Sequence, residues 1–468
     1  MEKALFIYPP SGLFRRDERC QSSVEGQTIK VTFPPIDLAY GAAILESVGW
    51  QCRIADLPAE KLSFEDLEHI LNNYKPDMLV VKITTSTLSG DIEAMNIARR
   101  TLPDLKILVF GGIDTKNTIS NERILEFANI ILENSPEDIL YELGRDYAPL
   151  KVSGLIYKNG SDVVNTGFRK VERDMDEYPF PARHLLKNEL YVNPENNKRI
   201  TLIRTSQGCK FKCIFCPAYK ISSGNIRRRS PEHIIKEIKE CIEKFGIDDF
   251  HFDADTFTMN KKWTKELCEK IISENLAISW YCNSRVDTID LETLKLMKTA
   301  GCRVIGFGIE SGNQETLDRI KKKITLEQAE RAVSIAREAG VYSHTFFVIG
   351  LPWETEELIL ETFDFIKKLD PDFFDINIAY PIPDTELYKM CSEMELFSEK
   401  GNSPLSYSDS PIKTRFLSRE QLIRLRKEGL KKLYLRPSYI MKTLNKVLLD
   451  PKKAIRYIRY GLRRLNQL

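Results

Sequence analysis

Short apolar runs alternate with amphipathic segments along the first 150 residues. The runs show no polar alternation, so both faces of each strand are expected to be buried, as in a parallel sheet covered by helices. The runs predict strands at residues 4–8, 51–57, 77–83 and 106–110, and the amphipathic segments predict helices at 35–46, 64–74 and 90–101. We therefore predict an N-terminal α/β domain with a doubly wound parallel sheet over residues 1–150.

Sheets of this kind bind ligands at the carboxyl ends of their strands. The candidate ligand-binding loops are therefore residues 9–34, 84–88 and 111–117. The segment contains no GxGxxG motif at the start of a helix and no Walker loop, which disfavours a dinucleotide or ATP. The pattern alone leaves the ligand of this domain open.

A second series of strands and helices runs from about residue 200 to residue 390. Six strands are predicted, at residues 201–205, 248–253, 278–282, 303–307, 343–349 and 373–379. Ser230 and Pro231 suit the N-cap and first position of the helix that follows the first strand. Because a complete eight-step barrel usually needs about 250 residues, we predict a partial (β/α)6 TIM barrel over residues 199–390. Its active site should lie at the carboxyl ends of the strands.

The remaining segments have a different character. Residues 151–198 contain turn-forming and Pro-containing stretches and are predicted to be a linker. Residues 391–468 are predicted to form a helical, basic C-terminal region, because 16 Lys and Arg stand against 3 Asp and Glu from Thr414 onward.

Composition narrows the protein class. The 468 residues exceed the length of one ordinary domain. The net charge is +2 and the first 400 residues contain no strongly basic domain, so nucleic acid is not an expected partner. No apolar run approaches the length of a membrane span, and the N-terminus lacks the apolar core of a signal peptide. We expect a cytoplasmic protein.

The cysteines fall into two groups. Seven are single and are expected to be small buried hydrophobic residues rather than disulfide partners, namely Cys20, Cys52, Cys241, Cys268, Cys282, Cys302 and Cys391. The other three, Cys209, Cys213 and Cys216, lie within eight residues in a CxxxCxxC pattern directly after the first barrel strand. This clustering indicates a metal site.

The ligand chemistry restricts the kind of metal site. Thiolates are soft ligands that suit iron–sulfur clusters, zinc and copper(I). Structural zinc needs four ligands, and no fourth Cys or His lies nearby in the sequence. Three thiolates on a four-iron cluster would instead leave one iron open to a substrate or cofactor. Spacing alone leaves two interpretations, an iron–sulfur cluster and a zinc site completed by a distant residue.

The cysteine segment resembles the signature of the radical S-adenosylmethionine (SAM) superfamily, including the aromatic Phe215 before the third cysteine. Four later segments resemble the strand motifs of its cobalamin-dependent (class B) branch: residues 252–260, 308–312, 347–355 and 381–388. Two departures are visible, because Trp353 and Asp384 stand where the family usually has glycine.

The resemblance implies roles for these residues. Cys209, Cys213 and Cys216 would hold a 4Fe–4S cluster whose open iron binds SAM, and a reductant such as flavodoxin or ferredoxin would supply the electron that cleaves SAM. Phe215 and Glu310 would contact SAM, Glu310 at its ribose or amino group, and Arg285 would meet its carboxylate. The alternatives are a structural carboxylate for Glu310 and an ion pair for Arg285. Asp253 and Asp255 are expected to form hydrogen bonds near the cluster or the domain interface.

The resemblance also supplies a ligand for the N-terminal domain, which is similar to Rossmann-like cobalamin-binding domains. Ser86 and Leu88, followed by Gly111 and Gly112, resemble the SxL and GG elements that make room for the nucleotide tail of cobalamin. His69 fits no DxHxxG motif, so no histidine ligand to cobalt is implied. Residues 134–138 read Asn-Ser-Pro-Glu-Asp where relatives tend to carry Gly-Glu-Gly-Glu.

The resemblance therefore implies a radical SAM enzyme that methylates an unactivated carbon with the help of cobalamin. A cyclase or ring-rearranging enzyme without methyl transfer is the alternative, and a non-enzymatic iron–sulfur module is a third. The substrate is expected to be a small molecule or a lipid. The basic tail is either a solvated helical face or cap over the barrel, or a helix that contacts anionic lipid through Ile455, Ile458, Leu462 and Leu465.

Overall fold

The computed structural model describes residues 1–16, 22–24, 31–112, 118–171, 173–398, 408–409 and 411–449. These residues form two compact units, which divide between Val192 and Asn193. Within the described ranges, no helix combines the length and apolar character that crossing a bilayer requires.

The first unit is built on a seven-stranded sheet in the order β2-β1-β3-β4-β5-β6-β7. Strands β1 to β5 run parallel, and β6 and β7 are antiparallel to their neighbours. The strands are β1 Lys3–Tyr8, β2 Gln51–Asp56, β3 Met78–Thr84, β4 Lys106–Gly112, β5 Ile130–Leu132, β6 Leu155–Asn159 and β7 Asp162–Asn165. The predicted Rossmann-like, doubly wound parallel sheet is confirmed.

Helices cover both faces of this sheet. They are Ile36–Ser47, Leu57–Glu60, Phe64–Tyr74, Leu88–Thr101, Thr118–Ile124 and Pro136–Arg145, with short 3-10 helices at Pro149–Lys151, Met175–Glu177, Arg183–Leu185 and Asn188–Leu190. Two separate apolar clusters result, one on each face. All seven residues of β3 are consequently buried, which explains why the strand sequences show no polar alternation.

The predicted linker over residues 151–198 is wrong. Its first part forms the β6–β7 hairpin, whose turn contains Gly160 at φ +65°, and β6 pairs with β5. The first unit also continues to Val192. The turn chemistry at residues 158–161 marks a hairpin rather than a domain connection, because Leu155, Ile156 and Tyr157 are buried against the sheet.

The second unit contains a sheet of six parallel strands in the order β15-β14-β13-β12-β11-β8. These strands are β8 Ile200–Arg204, β11 Asp249–Asp253, β12 Ser279–Ser284, β13 Cys302–Glu310, β14 Tyr342–Ile349 and β15 Phe373–Ile378, and a two-stranded ribbon is formed by β9 Ser206–Gln207 and β10 Arg227–Arg228. Sequential parallel strands joined by helices make the predicted partial (β/α)6 barrel.

The helices of the second unit follow the strands in turn. They are Ala218–Ser222, Pro231–Phe245, Lys261–Ser273, Leu291–Thr299, Gln314–Arg319, Leu326–Glu338, Glu356–Leu369, Glu386–Glu393, Arg419–Tyr434 and Pro437–Leu449, with 3-10 helices at Phe257–Met259 and Val286–Thr288. The predicted helix start at Ser230 is confirmed, because the Ser230 hydroxyl accepts the His233 N–H at 3.1 Å.

The helices after residue 418 cover the open edge of the barrel sheet. The Arg426 Nε donates to the Ile376 carbonyl at 2.6 Å, and the Tyr434 hydroxyl donates to the Phe374 carbonyl at 2.7 Å. These bonds satisfy carbonyl groups of the edge strand β15, which would otherwise be available to pair with another strand. The predicted helical C-terminal region is thus confirmed as far as Leu449. Ile455, Ile458, Leu462 and Leu465 lie outside the described residues.

The single cysteines behave as predicted. Six of them are buried and form no disulfide with a described residue, namely Cys52, Cys241, Cys268, Cys282, Cys302 and Cys391. Cys20 lies outside the described residues.

Candidate functional site

The three clustered cysteines lie in the loop between β9 and the helix Ala218–Ser222, and all three are half-buried and form no disulfide with a described residue. Backbone hydrogen bonds at Ile214, inside the loop, hold it in place. The Ile214 N–H donates to the Ile320 carbonyl at 3.2 Å, and the Ile214 carbonyl accepts the Leu387 N–H at 2.9 Å. Ile320 and Leu387 follow β13 and β15, so the cysteine loop lies at the carboxyl ends of the barrel strands.

Gly208 sets the backbone at the start of this loop. Its φ is +99°, and a Cβ there would lie 1.8 Å from the Asn225 carbonyl oxygen, so only glycine fits. The Gly208 N–H donates to the Asp255 carboxylate at 2.7 Å, and the Cys209 N–H donates to the Ser222 hydroxyl at 3.3 Å. The predicted hydrogen-bonding role of Asp255 near the cluster loop is confirmed.

The thiols lie in a partly desolvated and cationic setting. Burial raises the pKa of Cys209 and Cys213, while Lys322 and Arg285 act in the opposite direction on both thiols. Cationic neighbours favour the thiolate, which is the form that binds metal.

The donor set fits an iron–sulfur cluster. Three thiols lie in one loop at the carboxyl ends of the barrel strands, and thiolates are soft ligands that suit such a cluster. Each thiolate of a four-iron cluster binds a different iron, so a loop of three spaced thiols is suited to it. Cys209, Cys213 and Cys216 would therefore hold a 4Fe–4S cluster.

Arg285 contacts the cysteine loop through a ring rather than a thiol. Its guanidinium lies 3.6 Å from the centre of the Phe211 ring. Nε and Nη2 donate to the Asp287 carboxylate at 2.9 and 3.0 Å, and Nη2 also donates to the Lys322 carbonyl at 2.8 Å. Arg285 thus forms an ion pair within the barrel loops. Its predicted contact with the SAM carboxylate stays a prediction, as does the contact of half-buried Phe215 with SAM.

Glu310 ends β13 in a left-handed conformation, with φ +80°. Its carboxylate lies 2.7 Å from Lys322 Nζ, and both side chains are almost fully buried. Burial acts to lower the pKa of Lys322, but Glu310 and Cys213 outweigh it, so the pKa is raised and the ammonium stays charged. Sequence reasoning missed Lys322, because a Lys in the run 321–323 is usually a solvated residue and its partner lies in another element.

The two departures from the family pattern are accommodated differently. Asp384 adopts φ +65°, the left-handed region that favours glycine, and Lys220 Nζ bonds to both its carbonyl and its carboxylate. Aspartate tolerates this conformation better than most residues, so the loop keeps the backbone shape that glycine would give. Trp353 is buried, with Arg319 lying 4.1 Å from its ring centre. The neighbouring Glu354 accepts the Gly350 and Leu351 N–H groups, and burial raises its pKa to about 7.

In the first unit, the strand order reverses between β1 and β3. From β1 the chain passes to β2 on one side of β1, and it then continues with β3 on the other side. Open α/β sheets bind ligands at the carboxyl ends of their strands at such a switch point. Ser86 and Leu88 lie in the loop after β3 and at the start of the helix that follows it.

Gly111 and Gly112 lie beside this loop, since Ile83 pairs with Gly111 and Thr84 pairs with Gly112. A Cβ at Gly111 would lie 1.9 Å from the Ile83 carbonyl oxygen, so the close approach of the strands requires glycine. The adjacency of the two elements beside the switch point fits the space that the nucleotide tail of a corrinoid would need. Contacts of these four residues with cobalamin stay a prediction.

Two other residues of this unit bear on the cofactor. His69 is exposed in the middle of the helix Phe64–Tyr74. Asn134 bonds to the backbone of Arg169 through both its amide nitrogen and its oxygen, at 2.8 and 3.1 Å. His69 thus lies on a helix rather than at the strand ends. Asn134, where relatives differ, holds the chain after β7.

Comparison with known proteins identifies the family. The family model described as the radical SAM superfamily matches residues 203–366. The chain is 30% identical to an uncharacterized methyltransferase of Pyrococcus horikoshii, over 94% of each chain. It is 26% identical to the anaerobic magnesium-protoporphyrin IX monomethyl ester cyclase of Cereibacter sphaeroides, over 85% of this chain and 66% of the relative.

A solved structure shares the fold of nearly the whole chain. The cobalamin-dependent SAM radical enzyme OxsB, with aqua-cobalamin and SAM bound, superposes with a TM-score of 0.75 at 15% identity, covering 99% of this chain and 71% of that one. At that identity the likeness concerns the fold, while the P. horikoshii relative establishes common descent over 94% of each chain. The chain therefore belongs to the radical SAM superfamily, in one family with the P. horikoshii methyltransferase, and has the fold of a cobalamin-dependent radical SAM enzyme.

Proposed function

We propose that this enzyme methylates an unactivated carbon of a small-molecule or lipid substrate. The observation that carries the proposal is the CxxxCxxC loop held at the carboxyl ends of the barrel strands, in a chain that also contains a sheet with a glycine pair beside its switch point. The relative that matches over nearly the full length is named as a methyltransferase.

When bound, the cluster and SAM would supply a 5′-deoxyadenosyl radical, and cobalamin would supply the methyl group. The contribution of this chain is positioning. Gly208 and Asp255 hold the cysteine loop, and the buried Lys322–Glu310 pair and Arg285 surround it with charge. We propose that Glu310 contacts the ribose or amino group of SAM, that Arg285 meets its carboxylate and that Phe215 lines the same site.

The products distinguish methylation from the alternatives. Methylation uses one SAM for the radical and one for the methyl group, so we expect one methionine, one 5′-deoxyadenosine and one S-adenosylhomocysteine for each methylated product. Mass spectrometry of the methylated product, together with quantification of methionine, 5′-deoxyadenosine and S-adenosylhomocysteine, tests this stoichiometry. Product formation without S-adenosylhomocysteine would exclude methyl transfer.

A cyclase is the second candidate, and the likeness to the C. sphaeroides monomethyl ester cyclase favours it. Ring closure would use the same radical with no methyl transfer. The product would then have lost hydrogen rather than gained a methylene unit, which the same mass measurement detects.

We further propose that this cytoplasmic enzyme works at a membrane surface. The end of the described chain exposes four large apolar side chains, Leu435, Ile440, Met441 and Leu444. The sequence beyond it adds Lys452, Lys453 and four arginines within residues 456–464. Apolar side chains combined with basic ones bind anionic lipid surfaces.

Liposome co-sedimentation tests this surface. The full chain is expected to pellet with vesicles containing phosphatidylserine and to be released by high salt, because screening weakens the electrostatic part of the binding. A protein ending at residue 449 with Ile440→Ser and Met441→Ser should stay in the supernatant. Equal pelleting of both proteins, or equal binding to neutral vesicles, would contradict the proposal.

A further inference from the structure

The two loops that flank the switch point of the first sheet meet at one carboxylate. Asp91, in the first turn of the helix Leu88–Thr101, accepts the Ser11 hydroxyl at 2.8 Å from the loop after β1. It also accepts the Thr84 N–H at 3.2 Å and the Thr87 hydroxyl at 2.5 Å from the loop after β3. The Ser86 segment is therefore held on both of its sides by the same side chain.

Arg16 completes the junction. Its Nη1 lies 3.0 Å from Asp91 Oδ1 and donates to the Lys82 carbonyl at 2.8 Å, and Nη2 donates to the Pro9 carbonyl at 3.3 Å. Arg16 and Asp91 are 4% and 0% exposed. Thus one guanidinium joins the end of β1, the end of β3 and the helix that follows.

Gly90 allows the two loops to approach this closely. A Cβ at Gly90 would lie 2.7 Å from the Ser11 Oγ and 3.4 Å from the Ser11 Cα. The backbone of the first loop thus lies against the first turn of the helix, and the contact belongs to the loop geometry rather than to a surface side chain.

We infer that Asp91, neutralised by Arg16, is a positioning residue that fixes the Ser86–Leu88 segment for the nucleotide tail of cobalamin. The inference rests on the proposed use of cobalamin by this unit. Fold stability gives a weaker account of the pair, because a buried ion pair often contributes no more than an apolar replacement. An apolar pair could not hold the two loops in one register, because it would lack the directed hydrogen bonds to Ser11, Thr84, Thr87 and two carbonyl groups.

Corrinoid binding tests the inference without activity as the readout. Cobalamin and cobinamide share the corrin ring, but only cobalamin carries the nucleotide tail. We expect Asp91→Asn to raise the Kd for hydroxocobalamin by roughly tenfold or more, since loosened supporting residues commonly cost one to two orders of magnitude. Its Kd for cobinamide should change less than about twofold. Spectroscopic titration of the full-length holo-cluster protein measures both constants.

Matched variants separate positioning from folding. Glu93 lies on the same helix, in an exposed ion pair with Arg100. Glu93→Gln should therefore leave both dissociation constants unchanged. Iron content and SAM cleavage of Asp91→Asn report whether the protein remains folded. Unchanged cobalamin affinity, or an equal loss for cobalamin and cobinamide, would overturn the inference. Wild-type protein that binds neither corrinoid would overturn the proposed use of cobalamin itself.

Discussion

Cys213→Ala is expected to abolish SAM cleavage. The loop offers three thiols, and loss of one leaves a cluster with two protein ligands and no defined open iron. After anaerobic reconstitution, the variant should hold far fewer than the roughly four irons per chain expected of the wild type. The rate of 5′-deoxyadenosine formation on reduction should fall on the order of 10³-fold or to background, because the ligands act as a unit.

Cys241→Ala is the matched control for this result. Cys241 also forms no disulfide with a described residue, but it is buried in the helix Pro231–Phe245, outside the cysteine loop. Its replacement should leave iron content and SAM cleavage close to those of the wild type. A Cys213→Ala protein that still cleaved SAM would defeat the assignment of the cluster to this loop.

Lys322→Met should destabilise the barrel and weaken the SAM site together. The substitution leaves the Glu310 carboxylate buried without its ammonium partner, and loss of one member of a buried pair costs about 3–5 kcal/mol of unfolding free energy. It also removes a positive charge that favours the Cys213 thiolate. Denaturant unfolding and the KM for SAM measure the two effects.

A neighbouring lysine and a double variant sharpen this test. Lys323 is exposed, so Lys323→Met should change the unfolding free energy by less than about 0.5 kcal/mol. Adding Glu310→Gln to Lys322→Met removes the unpaired charge and should restore most of the stability. If Glu310 contacts SAM, the double variant will be stable yet still have a raised KM. Recovery of both quantities would show that Glu310 serves the fold alone.

Local patterns predicted the elements of both units closely. The helix Phe64–Tyr74 lies where its apolar spacing places it, and the Ser63–Asp66 capping box explains its first turn. The helix at Pro231 begins as its Ser-Pro start indicates. The hairpin at residues 155–165 was missed because it depends on pairing with β5, a three-residue strand too short to leave a pattern of its own.

The candidate site likewise combines residues that a local pattern reveals with supporting residues that only the fold brings to them. The three cysteines lie within eight residues, so their spacing alone marks them as candidate metal ligands. Their supports come from elsewhere in the chain: Asp255 is 47 residues from Gly208, and Ile320 is more than 100 residues from Ile214. The left-handed backbone of Asp384 likewise follows from the loop that it must complete, since its residue type alone predicts no such conformation.

By itself, therefore, the sequence determined the two α/β series, the cysteine loop and its place after a barrel strand, because each is encoded by neighbouring residues. The tertiary structure decided which charges meet. The pairs Lys322–Glu310, Arg285–Asp287 and Arg16–Asp91 are buried except for the half-buried Asp287, yet nothing in their local sequence distinguishes them from solvated residues. The partners of a charged side chain depend on which strand ends the fold brings together, and in the first and last of these pairs the partners come from different elements.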